Sequence, residues 1–229
     1  MPSPTWLADL PRHRLMAEYS MWSADLIRLG EDLDRIKDHA DLLHIDVADG
    51  HFAPALLFFP DLVARMRSAT DLPIHVHLMM ADPILLEQIN QFADAGADLI
   101  SIHVENEKVA DAALALLADR GVAAGMVARI ETPVGQLAPY LDRLDFATLL
   151  GTAIGVKGQG LDPMAGDRLR EAGKLIAASG RPIVLAADGG IRENTVPLLR
   201  AAGAETVVMG SLAFGAPDLA ARMSWLHAL

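Results

Sequence analysis

Leu43 to Phe52, LHIDVADGHF, sets histidine and aspartate beside isoleucine and valine in a run that otherwise has the composition of a buried strand. Ile74 to Met79, IHVHLM, repeats the combination. Buried strands exclude unpaired charged groups because removing them from water is costly. These residues therefore need a partner, and a bound metal ion is one candidate. Along the chain, short β-branched or aliphatic runs end in polar or glycine residues: MAEYSM (16–21), LLHIDVAD (42–49), IHVHLM (74–79), LISIHVE (99–105), AAGMVA (123–128), FATLLGT (146–152), PIVLAADGG (182–190) and TVVMGS (206–211).

Eight strands that alternate with longer amphipathic stretches, without a compositional break, predict one (β/α)8 TIM barrel over residues 16–229. Residues 1–15 read as an N-terminal extension. A doubly wound open sheet is the alternative. It is disfavoured because no GxGxxG follows the first run and polar residues collect at strand ends throughout. Asp82 and Pro83 read as the N-cap and first-turn proline of a helix that Gly96 ends, and the spacing over residues 23–40 predicts another amphipathic helix.

Composition narrows the chemistry. The chain of 229 residues has no cysteine, so any metal must be held by nitrogen and oxygen, and nothing points to an oxidising compartment. A net charge of −11 with no basic stripe opposes binding to nucleic acid or an anionic membrane. The longest apolar runs, such as ALLFF at 55–59, fall well short of a membrane span of roughly 18 residues or more. Prolines and charges in MPSPTWLADLPRHRL stand where a signal peptide would be apolar, so a cytoplasmic protein is expected.

On a barrel, chemistry gathers at the C-terminal strand ends. His44 and Asp46, two apart, share one strand face; His77 and Asp188 lie near the ends of their own strands. Two imidazoles and two carboxylates suit zinc and accommodate manganese, iron or cobalt. A lone His-x-Asp pair is more often a hydrogen-bonded structural pair, and the combination of four makes the metal reading the better one. His75 shares a face with His77, so periodicity leaves the choice between them open, and position nearer the strand end favours His77. For His103 a structural histidine satisfied by its neighbours is an equally good reading. Asp49 and His51 read as loop-shaping, and His13, His39 and His227 receive no role.

Glycines mark a second feature: GVKGQG (155–160), the DGG of 188–190 and the GS of 210–211 each follow a late strand. Each alone would serve a tight turn, but three clusters on adjacent loops predict a phosphate cradle, with Lys157 adding positive charge.

SMWSADLIRLGED (20–32), LHIDVADGHFAP (43–54), LPIHVHLMMADP (72–83), AGADLISIHVE (95–105) and DGGIRENTVPLLRAAGAETVVMGSLAFG (188–215) resemble the ribulose-phosphate 3-epimerase family. The similarity runs from about Ala17 to the C-terminus. It implies a barrel with one divalent metal per chain, zinc or manganese, iron or cobalt, held by His44, Asp46, His77 and Asp188. Asp46 and Asp188 would also be the catalytic acid and base. Substrate-binding positions would be Ser20, His77 and Asp188, the loop Gly155, Val156, Lys157 and Gly158, then Gly189 with Gly190, and Gly210 with Ser211.

The implied activity converts D-ribulose 5-phosphate to D-xylulose 5-phosphate through a metal-stabilised cis-enediolate, with a small sugar phosphate as ligand and a homo-oligomer as the expected assembly. Alternatives are 3-epimerisation of another ketose phosphate, such as D-allulose 6-phosphate, or a metal-free phosphate-binding barrel acting as decarboxylase or synthase. A non-catalytic sugar-phosphate-binding protein would need only the phosphate loops. The family's DVMDG is DVADG here (46–50), MSVNPGFGGQ aligns with LGTAIGVKGQ (150–159), and NPATP becomes RIETP (129–133). The walls differ, and Ala48 is expected to enlarge the space beside the reacting carbons.

Overall fold

The computed structural model describes residues 2–229. Parallel strands β1 (Met16–Ser20), β2 (Leu42–Asp49), β4 (Ile74–Met79), β5 (Leu99–His103), β6 (Ala123–Ala128), β7 (Phe146–Leu150), β8 (Val184–Asp188) and β9 (Thr206–Met209) pair in sequence order. β1 pairs with both β2 and β9, which closes the (β/α)8 barrel. A two-residue strand, β3 (Leu56–Leu57), returns antiparallel on the end of β2, with Ala48 opposite Leu57.

Period-two alternation explains how polar residues survive inside. On β4, Ile74, Val76 and Leu78 belong to the large apolar core between strands and helices, so His75, His77 and Met79 face the barrel interior. The same alternation sends Glu18 and Ser20 of β1, His44 and Asp46 of β2, and Ser101 and His103 of β5 inward. Met16, Leu42, Leu99, Phe146 and Val184 form the bottom interior layer, and Trp6, Leu7 and Leu10 of the N-terminal segment pack against it. The barrel is therefore apolar at its foot and increasingly polar toward its mouth.

Helices α1 (Leu29–Ile36), α2 (Pro60–Ala69), α3 (Asp82–Asp94), α4 (Ala110–Arg120), α5 (Ala165–Ser179), α6 (Val196–Ala201), α7 (Ser211–Phe214) and α8 (Leu219–His227) follow the strands, with a 3-10 segment at Val134–Arg143. α3 buries Leu85, Ile89 and Phe92, one stripe at helical spacing. Gly96 follows it with φ 96°, where any Cβ would lie 2.6 Å from Arg67 Cγ. Among the described residues, no helix is long and apolar enough to cross a membrane.

Three local expectations change. The helix expected over 23–40 is confined to Leu29–Ile36, because Asp25 and Asp32 accept hydrogen bonds from backbone amides of the preceding loop, and Leu26 and Ile27 point outward. Asp82 is the first helical residue rather than the N-cap, a place taken by Ala81. Its carboxylate instead accepts from Asn106 Nδ2 at 2.8 Å. Several strands also stop short of the expected glycines, which lie in the loops beyond.

Candidate active site

Asp46 is the hub of the upper interior layer. Its Oδ2 accepts from Ser20 Oγ at 2.8 Å. Its Oδ1 lies 3.3 Å from both His44 Nε2 and His77 Nδ1, and Asp188 Oδ2 lies 3.8 Å from His77 Nδ1. Ligand atoms about 2.0–2.1 Å from a tetrahedral zinc are separated from one another by about 3.3 Å, so these spacings match such a centre. Taken together, the four ligand atoms lie within 4.8 Å of one another. His44 Nε2 is buried without a hydrogen-bond partner, an orphan that a cation would satisfy. The residues fit a divalent metal.

Electrostatics separate the two aspartates. Burial raises Asp46, but the charge of His44 and the closeness of the His44 and His77 ring nitrogens outweigh it and hold the carboxyl well below its usual range. Burial pushes Asp188 up to about 6, with the negative charge of Asp46 adding to the shift and His44 and His77 opposing it. Burial lowers His44, yet Asp46 and Glu18 prevail and raise it well above the ordinary value. The field that retains an extra proton here is one that favours a cation.

His75 and His77, equivalent by periodicity, are separated by depth. His77 faces Asp46 and Asp188, whereas His75 lies one layer lower, its Nδ1 2.5 Å from Glu18 Oε2 and its Nε2 2.7 Å from Ser101 Oγ. His103 is a partner of His77: their Nε2 atoms are 2.8 Å apart, and His103 Nδ1 lies 2.9 Å from Glu105 Oε2. Two ring nitrogens in contact share one proton. Burial raises Glu105, but hydrogen bonds from His103 and Thr132 hold it down to about 2; burial pushes His103 down to about 4. Anionic Glu105 thus accepts from Nδ1–H of a neutral His103, whose Nε2 accepts from His77, leaving the His77 Nδ1 lone pair facing the aspartates.

A cavity of about 410 Å³ opens above this floor, within the size range of small-molecule sites. It is lined by Ser20, Asp46, His77 and Asp188, by Gly155, Val156, Lys157 and Gly158, and by Gly189, Gly190, Gly210 and Ser211. His44 lies beneath it, fully buried. Every site residue picked out in the sequence thus lies on the cavity wall or directly under it. At Gly190, φ is 70° and a Cβ would come within 2.8 Å of Leu161 Cα, so only glycine lets the loops approach this closely. Lys157 Nζ donates to the Trp22 carbonyl at 2.5 Å and lies 4.7 Å from the centre of the Trp22 ring.

Ala48 departs from expectation. It packs with Ala53 and Met79, covered by Phe52 and Ile154, and is not among the cavity-lining residues. Past Asp46 the β2 strand enters its pairing with β3, so position 48 lies behind a wall made by Met79 and Ile154. Asp49 shapes the loop as expected, accepting from the amides of His51, Phe52 and Ala81 at 2.8 Å each. Arg192, Trp22 and Thr152 also line the cavity and went unread in the sequence, where nothing in their spacing distinguishes them. Glu18 did carry a signal, a lone carboxylate two residues before Ser20 on the same strand face.

The chain is similar to known proteins along most of its length. The model of the Ribulose-phosphate 3 epimerase family matches residues 16–214. Ribulose-phosphate 3-epimerase 1 of Cupriavidus necator is 40% identical over 204 residues, covering 87% of this chain and 84% of that protein. Ribulose-phosphate 3-epimerases of Escherichia coli K12 and Bacillus subtilis 168 are 37% and 36% identical over 201 residues; each match covers 87% of this chain, with 88% and 92% of the respective relative. Among solved structures, a 3-hexulose-6-phosphate synthase superposes with a TM-score of 0.66 at 16% identity, covering 94% of this chain and 98% of that one. Orotidine 5'-phosphate decarboxylase of Pyrococcus horikoshii OT3 does so with 0.64 at 14%, covering 93% and 97%. At such identities these two show the fold alone.

Proposed function

The chain belongs to the ribulose-phosphate 3-epimerase family, and from that premise we propose that it interconverts D-ribulose 5-phosphate and D-xylulose 5-phosphate with Asp46 and Asp188 as the paired acid and base. It is an epimerase, a member of the isomerase class. The observation that carries the assignment of residues is the orphaned His44 Nε2 among Asp46, His77 and Asp188, at the floor of a cavity whose rim is glycine loops.

Inverting C3 of a 2-ketose phosphate requires removing a proton next to a carbonyl and returning one to the opposite face. One carboxylate reaches one face; two arriving from different strands reach both. Asp46, held anionic by its histidines and steadied by Ser20, accepts the C3 proton. Asp188, arriving from β8, delivers its own proton to the other face. After one turnover the two have exchanged protonation states, which is the arrangement the reverse reaction requires. His44, Asp46, His77 and Asp188 would hold a divalent ion, which would supply Lewis-acid stabilisation of negative charge developing beside the carbonyl. Zinc, manganese, iron and cobalt all suit this nitrogen and oxygen set.

The loop 155–158, Gly189 with Gly190, and Gly210 with Ser211 are the proposed phosphate cradle, and Lys157 its positive charge. Lys157→Ala is expected to raise KM about 10–100-fold for every ketose phosphate alike, with kcat little changed, because a charged hydrogen bond to the common group contributes about 1.5–3 kcal/mol. Steady-state kinetics across five- and six-carbon ketose phosphates checks this and the substrate together. The highest kcat/KM belongs to D-ribulose 5-phosphate; a six-carbon ketose phosphate in first place would reassign the substrate. A homo-oligomer is supported by exposed Ile27, Phe59 and Val156 on the segments that follow the strands, and Leu56 of β3, at the mouth side of the barrel.

A further inference from the structure

Beneath the candidate metal centre lies a second polar layer with no exit to solvent. Glu18, His44, His75 and Ser101, on four consecutively paired strands, are all 0% exposed. Glu18 Oε2 lies 3.0 Å from His44 Nδ1 and 2.5 Å from His75 Nδ1, and His75 Nε2 reaches Ser101 Oγ at 2.7 Å. The His44 and His75 rings meet edge to face with centroids 4.7 Å apart, and Phe146 closes the layer from below, 5.8 Å from His75. Barrel interiors are ordinarily filled by branched apolar side chains, and a buried charge among apolar neighbours is costly unless it is paired.

Space has been made for this arrangement. A Cβ at Gly125 of β6 would stand 1.9 Å from Ser101 Oγ, so glycine alone leaves the Ser101 hydroxyl where it meets His75. Ser101 holds His75, His75 holds Glu18, and Glu18 meets the ring nitrogen of His44 that points away from Asp46. An imidazole that donates from Nδ1 keeps its lone pair on Nε2, and His44 Nε2 is the orphaned atom 3.3 Å from Asp46 Oδ1.

We infer that Glu18, braced by His75 and Ser101, is a positioning residue that fixes the tautomer and ring orientation of His44 and thereby sets the affinity of the metal centre. This rests on the reading of His44, Asp46, His77 and Asp188 as the metal ligands. Glu18 would do for His44 what Glu105, through His103, does for His77. A carboxylate hydrogen-bonded to the far nitrogen of a ligating histidine strengthens metal binding by restricting the ring and raising ligand basicity, and loss of such a partner typically weakens affinity 10–100-fold. A second metal between Glu18, His44 and His75, whose ligand atoms also cluster, is the weaker reading. It would require His44 to give up both ring protons, and the fully buried layer offers no path of entry.

The test uses the full chain, wild type and Glu18→Gln, each stripped of metal and titrated with cobalt(II) or zinc(II) against a chromophoric chelator. The visible spectrum of the cobalt form and inorganic-phosphate binding to the metal-free protein are recorded alongside. Expected are one metal per wild-type chain, a 10–100-fold weaker affinity in Glu18→Gln with an altered cobalt spectrum, and unchanged phosphate binding. An affinity within about threefold of wild type, with the same spectrum, overturns the proposal. So do two metals per wild-type chain falling to one in the variant, which would make Glu18 itself a ligand. A wild type that binds no metal fails at the control, and that failure belongs to the ligand assignment on which the inference stands. Should Glu18→Gln not fold, Ser101→Ala serves instead: removing the brace should weaken metal binding at least threefold, and an unchanged affinity overturns the proposal.

Discussion

Asp188→Asn lowers kcat/KM for D-ribulose 5-phosphate by roughly 10²–10⁴-fold, the range attributable to one acid–base group. An amide can neither carry nor return the C3 proton, so complete epimerisation stops at the face Asp188 serves. Asp46 still serves the other face. In deuterated buffer, the ketose phosphate whose C3 hydrogen points at Asp46 therefore gains solvent deuterium without becoming its epimer. Asp46→Asn shows the opposite preference, labelling only the other epimer. Both residues are proposed ligands, so metal content is measured for each variant before its kinetics are compared. Labelling of the same epimer by both metal-loaded variants, or epimerisation at the wild-type rate in either, removes the two-carboxylate assignment.

Metal removal has an effect of similar size. Stabilising charge that develops next to a carbonyl contributes several kcal/mol, so chelation should lower turnover by about 10³-fold or more, and one equivalent of zinc, manganese, iron or cobalt per chain should restore it. The metal-free protein also retains the mutual repulsion of Asp46 and Asp188 that contributes to the raised affinity of Asp188 for its proton. A ligand that binds only the folded state stabilises it, so the midpoint of thermal unfolding should rise with metal concentration. Full activity in a preparation shown by elemental analysis to be metal-free would end the Lewis-acid part of the account.

The barrel and the four-residue floor were legible because both follow from a period of two. A strand such as IHVHLM announces by composition which side chains face the helices and which face inward, and polar residues near its end announce the mouth. Depth was legible only in part: position nearer the strand end favoured His77 over His75, but did not show what either would meet. His75 and His77 share a face, and only the stagger of β4 against β1, β2 and β5 puts one beside Glu18 and the other beside Asp46. Ala48 failed for the same reason: it shares a face with Asp46, but β2 runs on into its antiparallel pairing with β3, and the side chain falls behind Met79. The helix expected over 23–40 begins only at Leu29, and Leu26 and Ile27 before it are exposed on a loop at the mouth. Glu18 was present as a carboxylate in an apolar strand, but its two histidine partners lie 26 and 57 residues away, contacts that no local pattern encodes.

The most direct test of the central claim is proton magnetic resonance of D-ribulose 5-phosphate incubated with the metal-loaded protein in deuterated buffer, following C3 in substrate and product. Two carboxylates on opposite faces, one giving a proton drawn from solvent, predict that D-xylulose 5-phosphate forms with deuterium at C3 and protium retained at the carbons that do not react. Conversion with the original hydrogen kept at C3, or no conversion at all by fully metal-loaded protein, would contradict it.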